Sequence, residues 1–186
     1  MQILKSIYFF LVDTVQTFAL ALAVFLVVYF FVARPFQVSG ESMYPTYKDH
    51  EYIFTNIIGL RISELKRGDV IVFKSPMDQK RDFIKRVIGV PGDTITLVDG
   101  KVYLNNQILD ESEYLSNDIN TFSGRFLQDG ETVQVPTGSI FVMGDNRMNS
   151  SDSREWGFLE KSEVIGKSFF VYWPISQARA IENPYK

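Results

Sequence analysis

Residues 18–33 form an unbroken run of apolar and aromatic side chains with no charge in it. Extending the run back to Val15 takes in Gln16 and Thr17 and brings it to roughly 19 residues, close to the ~20 that cross a bilayer as a helix. Tyr29 lies near one end, where interfacial aromatics are common, and Pro35 follows Arg34 as a helix stop. A cleavable leader would need small residues at −3 and −1. A cut after Ala33 puts Phe31 at −3 and Arg34-Pro35 just beyond, which is a poor site. A buried core helix would carry a polar stripe, and none interrupts the run. The reading is a short N-terminal segment at 1–14, a transmembrane helix over 15–34 and a separate domain at 35–186. Lys5 flanks one side and Arg34 and Lys48 the other, so the positive-inside rule does not choose an orientation.

The chain has 186 residues, and about 150 remain outside the apolar run, enough for one domain with a real core. The net charge of −3 argues against a nucleic-acid partner, which would want a basic surface. There is no cysteine, so neither a disulfide framework nor thiol chemistry is available. With one histidine, His50, a two-histidine metal site is impossible, and no carboxylate motif takes its place. No cofactor and no metal is expected.

Beyond residue 35 the chain reads as short strands. Segments 52–58, 69–74, 83–90 and 168–173 are rich in Val, Ile, Phe and Tyr. Segments 94–97 and 102–104 flank Asp99-Gly100, a strong hairpin signal. Segments 133–135 and 140–143 flank the turn Pro136-Thr137-Gly138. A short helix is expected near 153–158. The fold class is therefore mainly β: a coiled β-barrel or sheet domain carrying one N-terminal transmembrane helix. Residues 110–130 are polar and without period, and read as a surface excursion.

Serine is a weak nucleophile until a base takes its proton. His50 stands in the charged turn Lys48-Asp49-His50-Glu51 and reads as solvated. The other base is a lysine, which serves only if burial lowers its pKa from about 10.4. Two lysines sit in apolar strands, Lys85 and Lys74, and strand alternation alone does not separate them.

Four motifs carry a resemblance. Ser39-Gly40-Glu41-Ser42-Met43-Tyr44-Pro45-Thr46 follows the apolar run and resembles the nucleophile box of bacterial type I signal peptidases. Arg67-Gly68-Asp69-Val70-Ile71-Val72-Phe73 is similar to the next box of that family. Lys85-Arg86-Val87-Ile88-Gly89-Val90-Pro91-Gly92-Asp93 resembles its lysine box, and the stretch from Gly144 to Arg154 its last. The boxes stand in family order over nearly the whole chain, and the compact size resembles the Gram-positive form.

The resemblance implies a serine endopeptidase that removes signal peptides from secreted preproteins. Ser42 would form an acyl-enzyme, with Lys85 rather than Lys74 as general base. Ser150 would orient the lysine amine, and the Ser42 backbone N–H would serve the oxyanion. Asp145, Arg86, Asp152 and Arg154 would be structural, with Asp145 paired to Arg86 and Asp152 to Arg154. Some members carry a serine where this chain has Gly40. Partners implied are preproteins with small residues at −1 and −3 and the lipid bilayer, with the N-terminus cytoplasmic and the catalytic domain outside. Val38, Ile84 and Val142 neighbour the matched boxes and are candidates for the substrate pocket. Competing readings are a member that has lost catalysis, a single-pass receptor with a β ectodomain, and a self-cleaving repressor. The first would lack Ser42 or Lys85, the second would not need them, and the third has no use for a membrane helix.

Overall fold

The computed structural model describes residues 2–27, 29, 33–116 and 118–185. Helix α1 covers Gln2–Val27. Within it, the 22 residues of Lys5–Leu26 are long and apolar enough to cross a membrane, and none is buried against the rest of the protein. At 1.5 Å per residue they span about 33 Å, matching a ~30 Å hydrocarbon core. The helix thus begins earlier than the apolar run suggested. Lys5, Asp13 and Gln16 interrupt the apolarity, but they do not break a helix. Its expected end at residue 34 also shifts: residues 28 and 30–32 lie outside the described residues, and Ala33–Gln37 is strand β1. Pro35 is tolerated there because β1 is the edge of its sheet.

The rest is mainly β, as expected, in two antiparallel sheets. The first contains β1, β2 (Tyr52–Asn56), β3 (Val70–Lys74), β4 (Asp82–Gly89), β9 (Ser139–Met143), β10 (Leu159–Glu160), β11 (Val164–Trp173) and β12 (Arg179–Ala180). Its order is β1-β2-β11-β3-β4-β9-β10, with β12 paired to β11. This is a path with two ends and no closed barrel among the described residues. The second sheet is β7-β6-β5-β8, formed by β5 (Thr94–Val98), β6 (Lys101–Leu104), β7 (Gln107–Ile108) and β8 (Thr132–Gln134). Asp99 and Gly100 both take positive φ in the β5–β6 hairpin, the backbone that a two-residue turn of this hand requires. Among the described residues two short α-helices, α2 (Gly59–Ile62) and α3 (Ser153–Trp156), and two 3₁₀ turns, Lys161–Glu163 and Ile175–Gln177, complete the fold.

β3 is apolar up to Lys74, and β4 is buried from Lys85 onward, because both faces of this part of the sheet are covered. On one side Val70 and Val72 pack with Val38, Met43, Tyr47 and Ile53. On the other, Ile71, Phe73 and Val87 pack with Ile140, Val142 and Leu159. The stretch 110–130 is more firmly seated than its polarity suggested: Tyr114, Leu115, Thr121 and Leu127 are all buried.

Candidate active site

Ser42 sits on a tight loop between β1 and β2. Met43 and Tyr47, one and five residues on, are driven into the core and are 1% and 0% exposed. Turn bonds Tyr44 N→Glu41 O (3.0 Å) and Tyr47 N→Met43 O (2.8 Å) coil the backbone between them. The Ser42 carbonyl accepts Asn146 N at 3.0 Å, tying the loop to the segment after β9. Gly144 lies so close that a Cβ on it would collide with the Ser42 carbonyl and with Ser150 Oγ.

Lys85, on β4, is 4% exposed. Its Nζ donates to Ser42 Oγ at 2.7 Å and to Ile84 O at 2.9 Å, and stands 5.3 Å from the centre of the Phe83 ring. Burial is the largest influence on the amine and pulls its pKa down to about 8. The charges of Asp152 and Asp145 work the other way, and that of Arg154 works with burial. Lys74 lies elsewhere, at the sheet rim, 2.7 Å from Asp82 with its side chain 41% exposed. His50 is exposed beside Asp49 and Gln37.

Two buried ion pairs flank the Ser42–Lys85 contact. Asp145 takes Arg86 on both oxygens, Nε at 2.8 Å and Nη2 at 2.7 Å, and also accepts Thr46 Oγ1 at 2.6 Å. Asp152 takes Arg154 Nε and Nη2 at 2.8 and 2.7 Å, caps α3 through Arg154 N, and accepts Gly144 N at 3.0 Å. Burial opposes the Asp152 charge, but Arg154 outweighs it and holds the carboxyl below its usual range. Ser150 Oγ is buried and makes no hydrogen bond of ordinary geometry, although it lies near enough to Asp152 to help hold that carboxylate.

A cavity of about 390 Å³ opens onto the dyad, lined by Ser42, Lys85, Val38, Ile84, Phe36 and Val72 among others. Val142 is not part of its lining. It pairs with Val87 across β9 and β4 and is fully buried in the core with Ile71, Phe73 and Leu159. The cavity runs beside the first half of β4. β3 pairs with β4 from Asp82 onward, but β9 joins only at Arg86, so 82–85 has a strand on one side alone.

Two features of the site carry no signal in the apolar pattern. Arg147, within the last quoted motif, is wholly buried, bonded to Gly144 O at 3.0 Å, to Thr121 Oγ1 at 2.8 Å and to Glu111. Arg179, on β12, reaches Thr46 O at 2.6 Å and pairs with Glu51, gripping the Ser42 loop from its far side.

The family model described as "Signal peptidase, peptidase S26" matches residues 11–173. The chain belongs to this family. Among its relatives in the family, signal peptidase IB of Staphylococcus aureus is 34% identical over 185 residues, covering 94% of this chain and 95% of that one. Signal peptidase I T of Bacillus subtilis is 36% identical over 168 residues, covering 88% and 86%. A solved signal peptidase I from Enterococcus faecalis is 32% identical with a TM-score of 0.47, over 56% of this chain and 97% of that one. Membership in peptidase family S26 makes the chain a hydrolase of the signal-peptidase kind.

Proposed function

We propose that the chain is a membrane-anchored signal peptidase I that cuts signal peptides from secretory preproteins through a Ser42 acyl-enzyme, with Lys85 as general base. The observation that carries this reading is the 2.7 Å contact from Lys85 Nζ to Ser42 Oγ, made by an amine whose pKa is pulled down to about 8. A neutral amine there takes the serine proton as Oγ attacks the scissile carbonyl. The resulting ammonium gives that proton to the departing amine of the mature protein. The freed amine then takes a proton from water, which hydrolyses the ester and returns the Ser42 hydroxyl. The Ser42 N–H donates to the oxyanion. The motif resemblance assigns Ser150 to orienting the amine, and the pairs Arg86–Asp145 and Asp152–Arg154 keep the walls fixed.

The substrate lies as an added strand along the one-sided edge at 82–85, its small −1 and −3 side chains entering the cavity by Val38 and Ile84. The helix within 5–26 crosses the bilayer with the N-terminus cytoplasmic, and the domain from 35 onward faces outward. Ser42 follows Arg34 by eight residues, under ~30 Å of chain. That keeps the nucleophile near the membrane surface, where an exported precursor also presents its cleavage site. The test is cleavage of a labelled precursor in detergent by wild type, Ser42→Ala and Lys85→Ala. Both variants should lose nearly all turnover while remaining folded, and normal rates in either would refute the mechanism.

A further inference from the structure

Tyr114 belongs to the stretch 110–130, which has no role in the chemistry above, yet its ring lies 4.1 Å from Arg86 Cζ. The residue is buried, and its placement is fixed from several directions. Its hydroxyl meets Glu111 Oε1 at 2.7 Å and Tyr185 OH at 3.1 Å, and the two tyrosine rings meet edge to face. Tyr185 in turn donates to Asp110 O at 2.7 Å, and Asn183 ties the same segment to Arg67 O and Asp69 Oδ1.

Arg86 has three partners around this ring. Nε and Nη2 hold Asp145, Nη2 also reaches Thr46 Oγ1 at 3.3 Å, and Nη1 donates to Gly68 O at 2.9 Å. The aromatic face is the guanidinium's remaining neighbour, and a desolvated ring of this kind attracts a cation. Arg86 is the residue after Lys85, and Asp145 is bonded to Thr46, four residues after Ser42. A force on Arg86 is therefore felt by both members of the dyad.

We propose that Tyr114 is a positioning residue for the peptidase reaction: its ring face holds the Arg86 guanidinium against Asp145, fixing the backbone of Lys85 and the loop of Ser42 relative to each other. This rests on the Ser42–Lys85 reading above.

The test uses the full chain in detergent and the same labelled precursor, comparing wild type, Tyr114→Met and Tyr114→Phe, with Ser42→Ala and Lys85→Ala as controls. Tyr114→Met keeps a long apolar side chain but removes the ring face, and with it the hydroxyl that Tyr114→Phe controls for. It should lower kcat roughly five- to thirtyfold and leave KM within about twofold. It should also move the acid limb of the pH profile upward, because an Asp145 less closely neutralised by Arg86 makes Lys85 hold its proton longer. The charged groups that bear on the amine are Asp152, Asp145 and Arg154, and only the Asp145 partner is altered. Tyr114→Phe keeps the ring and should recover most of the activity and the original profile. Should Tyr114→Met fail to fold, pentafluorophenylalanine at position 114 keeps the ring's shape while reversing its electrostatic face, and the same losses are expected. Wild-type kcat and pH profile in whichever of these two folds would overturn the proposal, as would equal damage in Tyr114→Phe. Turnover surviving in Ser42→Ala or Lys85→Ala would instead overturn the dyad reading itself.

Discussion

Asp145 binds Arg86 through both carboxylate oxygens, in a pair whose side chains are 2% and 0% exposed. One of those oxygens also takes the Thr46 hydroxyl, so a single buried carboxylate joins the strand of Lys85 to the loop of Ser42. Removing one partner of such a pair leaves the other charge buried and uncompensated. Arg86→Met should therefore cost about 3–5 kcal/mol of folding free energy, read as a lower urea midpoint for the full chain in detergent. A loss under about 1 kcal/mol would show that the site relaxes to admit water.

Gly144 passes against the Ser42 loop with no room for a side chain. In Gly144→Ala the new methyl must displace the Ser42 carbonyl or the Ser150 hydroxyl. Displacing a reacting group by about 1 Å costs on the order of 10²-fold. A fall of that size in kcat is expected in a variant that still folds, measured by precursor cleavage and thermal unfolding. Undiminished turnover would mean that the Ser42 backbone is free to move.

Lys85 is held in a setting that disfavours its charge, so it should lower stability. An unfolded chain protonates this amine below about 10.5, the folded chain only below about 8. Between those values the unfolded state binds more protons, and wild-type stability rises with pH. Below about 8 the whole penalty is present, on the order of 3 kcal/mol. Lys85→Met should be inactive yet more stable than wild type by about 1–3 kcal/mol at pH 7, with the gap closing by pH 10.5. Denaturant titrations of both proteins across pH 6–10 measure this. A destabilised Lys85→Met at pH 7 would mean the amine carries no such penalty.

The strands and the hairpin at Asp99-Gly100 were legible because alternation and turn chemistry are local. The choice between Lys85 and Lys74 was not. Both sit in apolar strands, Lys85 within one and Lys74 at the end of another, and what separates them is long-range: the Ser42 loop lies over Lys85, while Lys74 meets Asp82 at the rim. The motif resemblance supplied what periodicity lacked. The buried anchors within residues 110–130 were illegible for a related reason. Arg147, Glu111 and Thr121 are polar and inward-facing together, and a pattern of apolar residues does not register a buried ion pair. The N-terminal apolar helix was visible, but its bounds were not, because an isolated Lys5 or Asp13 ends an apolar run without ending a helix.

The central claim is that Lys85 works as an uncharged amine beside Ser42. The pH dependence of kcat/KM for precursor cleavage tests it most directly, since that profile titrates the free enzyme's essential base. The account predicts an acid limb with its midpoint near pH 8. A midpoint near 10.5, the value of a solvated lysine, would contradict it.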